Sequence, residues 1–458
     1  MNKFTPVLAA LLLSGCATAI QSDISPDLIA ADVSLPETAF PLVRGQTAES
    51  FETLFSDSLL RDYLAAAEAR NASLELARVS VASAGTRLDL ARANRGPRLR
   101  VGASGGVATP LDNFDLDDDA RLSATGSYDL DVFGGLRANI RGAAARQAVD
   151  TAELARLRRV IQAQTARAYI DVITAELQLQ LAQTNFEFLG ETLRVSEARF
   201  NAGDIARADY ALSQAEYENA RASLLAQQLS TRESRRSLAD LVGRYDIDNL
   251  PIAAQLPAVA VDGVNLAGGA RRAVLARYDV QAQRYAVIAA AAEADATKAQ
   301  TLPNFSLDAS LGGGSAVATL LDLDTYLARL ALAVSDTVFD NGADTARIAD
   351  ARTRIDASLI RYEEGLRDAY REVISAVDRS EVFRARLAAL DKASAAAERA
   401  LELEEIRYDL GESILLDVLT LQRRVNSIQS SRIREEAAVR IALIDAFLAA
   451  GPAIQPGL

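Results

Sequence analysis

The sequence predicts a mainly α-helical, internally duplicated chain that also carries a small set of transmembrane β-strands. Three observations predict it. Landmark motifs recur at a nearly constant offset, two long proline-free stretches keep a heptad rhythm, and short segments before them alternate strictly between polar and apolar residues.

Composition narrows the function before any motif is read. The chain has 458 residues, 50% of them hydrophobic and 24% charged, with one Cys, no His and no Trp. This is enough apolar material for long helix seams and excludes a wholly disordered chain. The missing His removes an imidazole base and the usual zinc and haem ligand sets. One Cys makes no internal disulfide. A net charge of −13 argues against a nucleic-acid partner. No enzyme activity and no cofactor are expected.

At the N-terminus, Lys3 precedes the apolar run Pro6 to Leu13 and then Leu13-Ser14-Gly15-Cys16. A basic start, a short apolar core and small residues at the end describe a secretory signal peptide, too short to span as a mature helix. The Leu-Ser-Gly-Cys stretch resembles a bacterial lipobox. That resemblance implies removal of residues 1–15, lipidation of Cys16 and, with Ala17 following, delivery to the outer membrane. Residues 16–48, with Pro26, Pro36 and Pro41, read as an extended tether from the anchor. No later run of about 20 residues is free of charge, so the mature chain would cross a membrane only as strands.

The remainder is written twice. Pro97 and Pro303 open alternating segments that end in Phe133-Gly134-Gly135 and in Phe339-Asp340-Asn341-Gly342. Long helical stretches follow and end in Arg199-Phe200-Asn201-Ala202-Gly203-Asp204 and Arg407-Tyr408-Asp409-Leu410-Gly411-Glu412. An Asp stands six residues after each of these glycines, at Asp209 and Asp417. The first repeat is set at 49–243, a linker with Pro251 and Pro257 at 244–267, the second repeat at 268–450 and an irregular tail at 451–458.

In the long stretches apolar positions step by three and four in turn: Ala168, Val172, Ala175, Leu179, Ala182, Phe186, Leu189, and again Ile355, Leu359, Tyr362, Leu366, Ala369, Val373, Ala376, Ser380, Phe383, Leu387, Leu390. A 3.5-residue period demands coiled-coil packing. Residues 136–200 and 343–407 then form rods on the order of 100 Å at 1.5 Å per residue. Strands are expected at about 98–109, 121–132, 303–313 and 325–337, each with one apolar and one polar face. Four strands cannot close a barrel around a lumen, and open edges in lipid leave backbone groups unpaired. The barrel must therefore be completed by other chains.

A duplicated unit of helix, strand pair, long helix and shorter helix behind a lipobox resembles the TolC/OprM family of outer-membrane efflux channels, in the branch that serves resistance-nodulation-division pumps. The most specific elements are the strand exits at Phe133, Gly134, Gly135, Phe339 and Gly342 and the two Arg-aromatic-x-x-Gly turns. The resemblance implies a homotrimer with twelve strands in the outer-membrane lipid and a periplasmic tunnel of twelve helices. It further implies a periplasmic membrane-fusion adaptor and an inner-membrane pump as partners. Gly203, Asp204, Gly411 and Glu412 would lie at the hairpin tips that meet the adaptor, and Asp209 and Asp417 would line the periplasmic aperture. Tyr408 would hold Asp209 in the closed state; where some members carry a locking Arg this chain has Ser413, with Thr420 at a second ring position and Arg207 as a substitute lock.

Other signals are read as structural. Asp112, Asp115 and Asp117 to Asp119 suit a solvated external loop without calcium-loop spacing, and Gly312-Gly313-Gly314 leaves a strand without a nucleotide fingerprint. The functional expectation is a passive exit duct for an inner-membrane pump. A type I secretion duct and a periplasmic adaptor lipoprotein are the alternatives.

Overall fold

A computed structural model describes residues 51, 54–108, 117–259, 269–313, 324, 327–337 and 339–451. Cys16, the signal peptide, the tether and the tail beyond residue 451 lie outside the described residues. The chain forms helices α1 (Ser58–Arg70) and α2 (Ala72–Ala93), strands β1 (Arg98–Ala108) and β2 (Asp117–Leu130), and helices α3 (Gly135–Ala202) and α4 (Arg207–Leu241). The same order then repeats as α5 (Gly269–Ala276), α6 (Tyr278–Gln300), β3 (Asn304–Gly313), β4 (Leu327–Ser335), α7 (Ala343–Asp409) and α8 (Leu415–Ala449). Among the described residues, contacts divide the chain into two compact units, the first built from 79–152 and 281–364, the second from 51–78, 153–280 and 365–451.

The first unit contains all four strands, in one antiparallel sheet of order β1-β2-β3-β4. The register puts the apolar alternation of every strand on one side. Leu99 faces Gly126, Ala309 and Leu330 in one row; Val101, Ala124, Leu311 and Ala328 form the next; Tyr128, Leu307 and Leu332 form a third. A shift of one residue in any pair would have turned that strand's apolar side chains to the other face. This apolar face is not covered: Leu99, Val101, Leu330 and Leu332 are each more than 60% exposed. In the helical part of this unit, Glu293 on α6 pairs with Arg146 of α3 at 2.5 Å and with Arg354 of α7 at 3.0 Å. The buried Asp295 is met by Arg141 of α3 at 2.8 Å.

One sequence expectation about the sheet needs correction. The second strand covers 117–130 rather than 121–132, because Asp117 to Asp119 continue the ladder with β1 while Asp131 leaves it and turns its carboxylate onto the start of α3. Gly312 and Gly313 lie within the strand expected at 303–313, paired with Leu327 and Leu122.

The second unit carries the main core. Leu54, Leu60 and Leu64 pack with Ile161, Tyr169 and Ile173 of α3, Leu238 of α4, and Ile444 and Phe447 of α8. The linker after α4 closes over this core: the Tyr63 hydroxyl donates to the Pro251 carbonyl at 2.8 Å, and Arg440 Nε donates to that of Pro257 at 2.8 Å. The heptad stripe is visible in the burial of α7, where Tyr362, Leu366, Ala369, Val373 and Ala376 are all covered. Further along, Ser380, Phe383, Leu387 and Leu390 are only half-buried within the single chain.

Asp57 caps α1 by accepting from the backbone of Leu59 and Leu60, and it also accepts from the buried Tyr169 hydroxyl at 2.9 Å. Burial, then the adjoining Asp57, push the Tyr169 phenol well above its ordinary range, so it stays protonated as the donor. Tyr169→Phe is expected to cost about 1.5–3 kcal/mol, the range for a bond to a charged acceptor. Amide hydrogen exchange across α1 checks this, and unchanged protection there would refute it.

Candidate functional site

The strand exits set the start of each long helix, and the two copies solve the problem differently. After β2, Gly134 takes φ +79° and Asp131 accepts from the backbone N–H of Leu136 at 2.8 Å and of Arg137 at 3.0 Å. Arg137 Nε returns to the same carboxylate at 3.1 Å. A helix N-terminus offers unpaired N–H groups, and a carboxylate there satisfies them while complementing the helix dipole. After β4 the left-handed residues are Asn341 (φ +57°) and Gly342 (φ +86°), and Asp340 receives the N–H groups of Gly342 and Asp344. Those N–H bonds hold the Asp340 carboxyl below its usual range. Phe133 faces Phe305 of β3 with ring centroids 6.3 Å apart, whereas Phe339 is 85% exposed. A Cβ at Gly135 would stand 3.0 Å from that of Ala299, so glycine there permits close approach of α3 and α6.

The tips are built identically. Gly203 and Gly411 take φ +82° and +78°. Gly203 N–H donates to the Phe200 carbonyl and Asp204 N–H to that of Arg199; Gly411 and Glu412 do the same to Tyr408 and Arg407. This paired arrangement is the Schellman ending of a helix, which needs a left-handed residue at that place. No atom lies within 4 Å of a Cβ added at either glycine, so the requirement is conformational and leaves the tip surface open.

Behind the tips, the expected aperture residues all belong to the second unit. Asp209 lies in the first turn of α4 and Asp417 in the first turn of α8. Neither carboxylate makes an ion pair among the described residues. The Tyr408 hydroxyl accepts from Arg199 Nη1 at 2.7 Å, and that guanidinium also sits 5.0 Å from the phenol ring centre. Within the chain the phenol is therefore held by Arg199 and not by Asp209, because the last turn of α3 brings this arginine across to α7. Arg207 makes no ion pair among the described residues. Ser413 donates to Glu404 and stands 3.5 Å from Asp417 Oδ2, while Arg423 approaches Thr420 Oγ1 at 3.4 Å and Glu216 at 3.7 Å. A small apolar cluster of Leu189, Ala220, Leu415 and Leu419, flanked by Phe186 and Tyr408, fastens the two hairpins below this polar layer.

Arg199 is the residue that sequence reading missed. Its repeat partner Arg407 pairs with Glu404 of its own helix at 3.0 Å, so symmetry alone suggests an equally local role. The available signal was the phenol at position 408 where the first copy has Phe200, a hydroxyl that needs a partner when half-buried.

Comparison with known proteins adds the family. The profile of the outer membrane efflux protein family matches residues 63–244 and 270–451. The chain belongs to that family. It is an outer-membrane efflux channel protein. Along 460 aligned residues it is 23% identical to the cation efflux system protein CusC of Escherichia coli K12, covering 98% of this chain and 99% of that one. Outer membrane protein OprJ of Pseudomonas aeruginosa is 26% identical over 416 residues, covering 88% of this chain and 85% of OprJ. A crystal structure of CusC superposes with a TM-score of 0.83 at 20% identity, over 91% of this chain and 99% of that one.

Two outcomes follow from the tip geometry. Gly203→Ala or Gly411→Ala forces a side chain into the left-handed region at about 1–2 kcal/mol, and faster hydrogen exchange at the Asp204 or Glu412 amide checks it. Near the second tip, burial and then the neighbouring Asp409 and Glu402 raise the Glu405 pKa. A raised folded-state pKa gives stability that is present below the unfolded value and lost as pH rises through the folded one. Glu405→Gln should therefore raise the unfolding temperature at neutral pH and leave it unchanged below the ordinary glutamate range.

Proposed function

We propose that three copies of this chain close a twelve-strand barrel in the outer membrane, continued by a periplasmic tunnel of twelve helices. The assembly is a passive exit duct whose cargo is driven by an inner-membrane resistance-nodulation-division pump. A periplasmic adaptor docks on the Gly203 and Gly411 tips, contacting Asp204 and Glu412. Cys16 is lipidated and fixes the chain to the membrane with the help of the strands. The observation that carries this reading is the sheet itself. Its apolar face is in register across all four strands, and β1 and β4 each have one strand neighbour. In lipid an unpaired backbone group costs several kcal/mol, so those edges call for a neighbouring copy.

At the periplasmic end, Asp209 and Asp417 ring the aperture, and the Arg199–Tyr408 contact latches the hairpins in the resting state. Carboxylates gathered by threefold symmetry repel one another, so a narrow resting opening needs such restraint.

Purified full-length protein in planar bilayers tests both levels. A trimer that conducts ions is expected, and a stable monomer that never conducts rejects the duct. Tyr408→Phe should raise single-channel conductance by loosening the latch; conductance equal to wild type places the latch elsewhere. Deleting the gene should also increase susceptibility to the pump's cargo, with rescue by the wild-type chain.

A further inference from the structure

The polar face of the sheet carries both arginines and carboxylates, and one of its rows holds arginines as its only charged residues. The register sets Arg98, Arg100, Arg121 and Arg329 on this face together with Asp129 and Asp308, and at the far end of β2 Asp119 and Asp117 take register positions on it opposite Gly106 and Ala108. The register sorts them into rows. Asp129 pairs with Ser306 at the end of the sheet nearest the helices. The next row runs Arg98, Ser127, Asp308, Ala331, and there Asp308 accepts from the Ser306 hydroxyl at 2.7 Å. The row after it runs Arg100, Thr125, Ser310, Arg329 and contains no carboxylate. Arg121 lies two rows further, opposite Ser104. All four arginines are exposed, and none makes an ion pair among the described residues; Arg98 reaches only the Asn94 side chain, at 3.4 Å.

We propose that this face is an oxyanion-accepting arginine belt, with Arg100 and Arg329 at its centre, which makes the barrel favour solutes bearing carboxylate, phosphate or sulfate groups. The inference rests on the barrel reading, since only a sheet with its apolar face in lipid turns this row to the lumen. Arg100 and Arg329 sit on the two outer strands, three strand spacings or about 14 Å apart. Closing the barrel with identical copies spreads them around the whole circumference. Spacings of that order are comparable with the screening length of about 10 Å at 0.1 M salt, so their fields overlap. Rings of Arg select anions, and the planar guanidinium fork matches oxyanions bidentately where an ammonium does not. The aperture carboxylates lie in the second unit, so the two charge filters are separable by mutation.

The test is the reversal potential of the full-length protein in planar bilayers under a KCl gradient, for wild type, Arg100→Gln/Arg329→Gln and Arg100→Lys/Arg329→Lys. Millimolar inorganic phosphate serves as the oxyanion probe. The Gln pair should lower the chloride-to-potassium permeability ratio by about twofold or more and abolish the reduction of chloride current by phosphate. The Lys pair, which keeps charge and side-chain length, should hold the reversal potential while weakening the phosphate effect. Conducting channels whose reversal potential and phosphate response are the same in wild type and the Gln pair overturn the belt and leave the duct standing. A wild-type protein that carries no current overturns the duct, and the belt with it.

Discussion

The dominant constraint on this chain is the pair of outer strands, β1 and β4, in a sheet whose apolar face is uncovered. Eleven residues of β1 and nine of β4 each have hydrogen-bonded neighbours on one side. Water would satisfy the other side in a soluble protein, but hydrocarbon cannot. The proposed closure by identical copies would resolve the problem without adding a strand, and it would fix which face becomes lumen. The polar rows, including the arginines, would inherit their environment from that closure.

Duplication supplies the parts, and the two copies then depart from each other at particular contacts. The tips keep the same hydrogen-bond pattern around Gly203 and Gly411, because a helix ending in a left-handed residue has few solutions. The strand exits diverge: Asp131 reaches forward five and six residues to the helix, while Asp340 bonds two and four residues ahead. The same divergence appears behind the tips, where Phe200 stacks on Tyr210 and its counterpart Tyr408 takes the guanidinium of Arg199. That contact joins the end of α3 to the end of α7, one from each copy.

Much of the architecture was legible because it is periodic. Steps of three and four in α7 placed Tyr362, Leu366, Ala369 and Val373 on one stripe, and all four are buried. Strict alternation placed Leu307 and Leu311 on the apolar face, where the register keeps them beside Tyr128 and Ala124. The glycine turns were legible because positive φ is a property of a single residue. Strand ends were less so: Asp131 alternates perfectly with its neighbours, yet its carboxylate is worth more to the α3 N-terminus than to the ladder.

The sequence by itself determined the repeat, the helix and strand periods, the polarity of each strand face and the left-handed tips, because these follow from the chemistry of neighbouring residues. Only the tertiary structure decided that Arg199 rather than Asp209 meets Tyr408, that Ser413 serves Glu404, and that Arg100 and Arg329 share a carboxylate-free row. The first joins residues 209 positions apart, the second reaches back nine residues across the tip turn, and the third faces across several strands. Neither local propensity nor periodicity carries information about which distant side chain fills the space opposite.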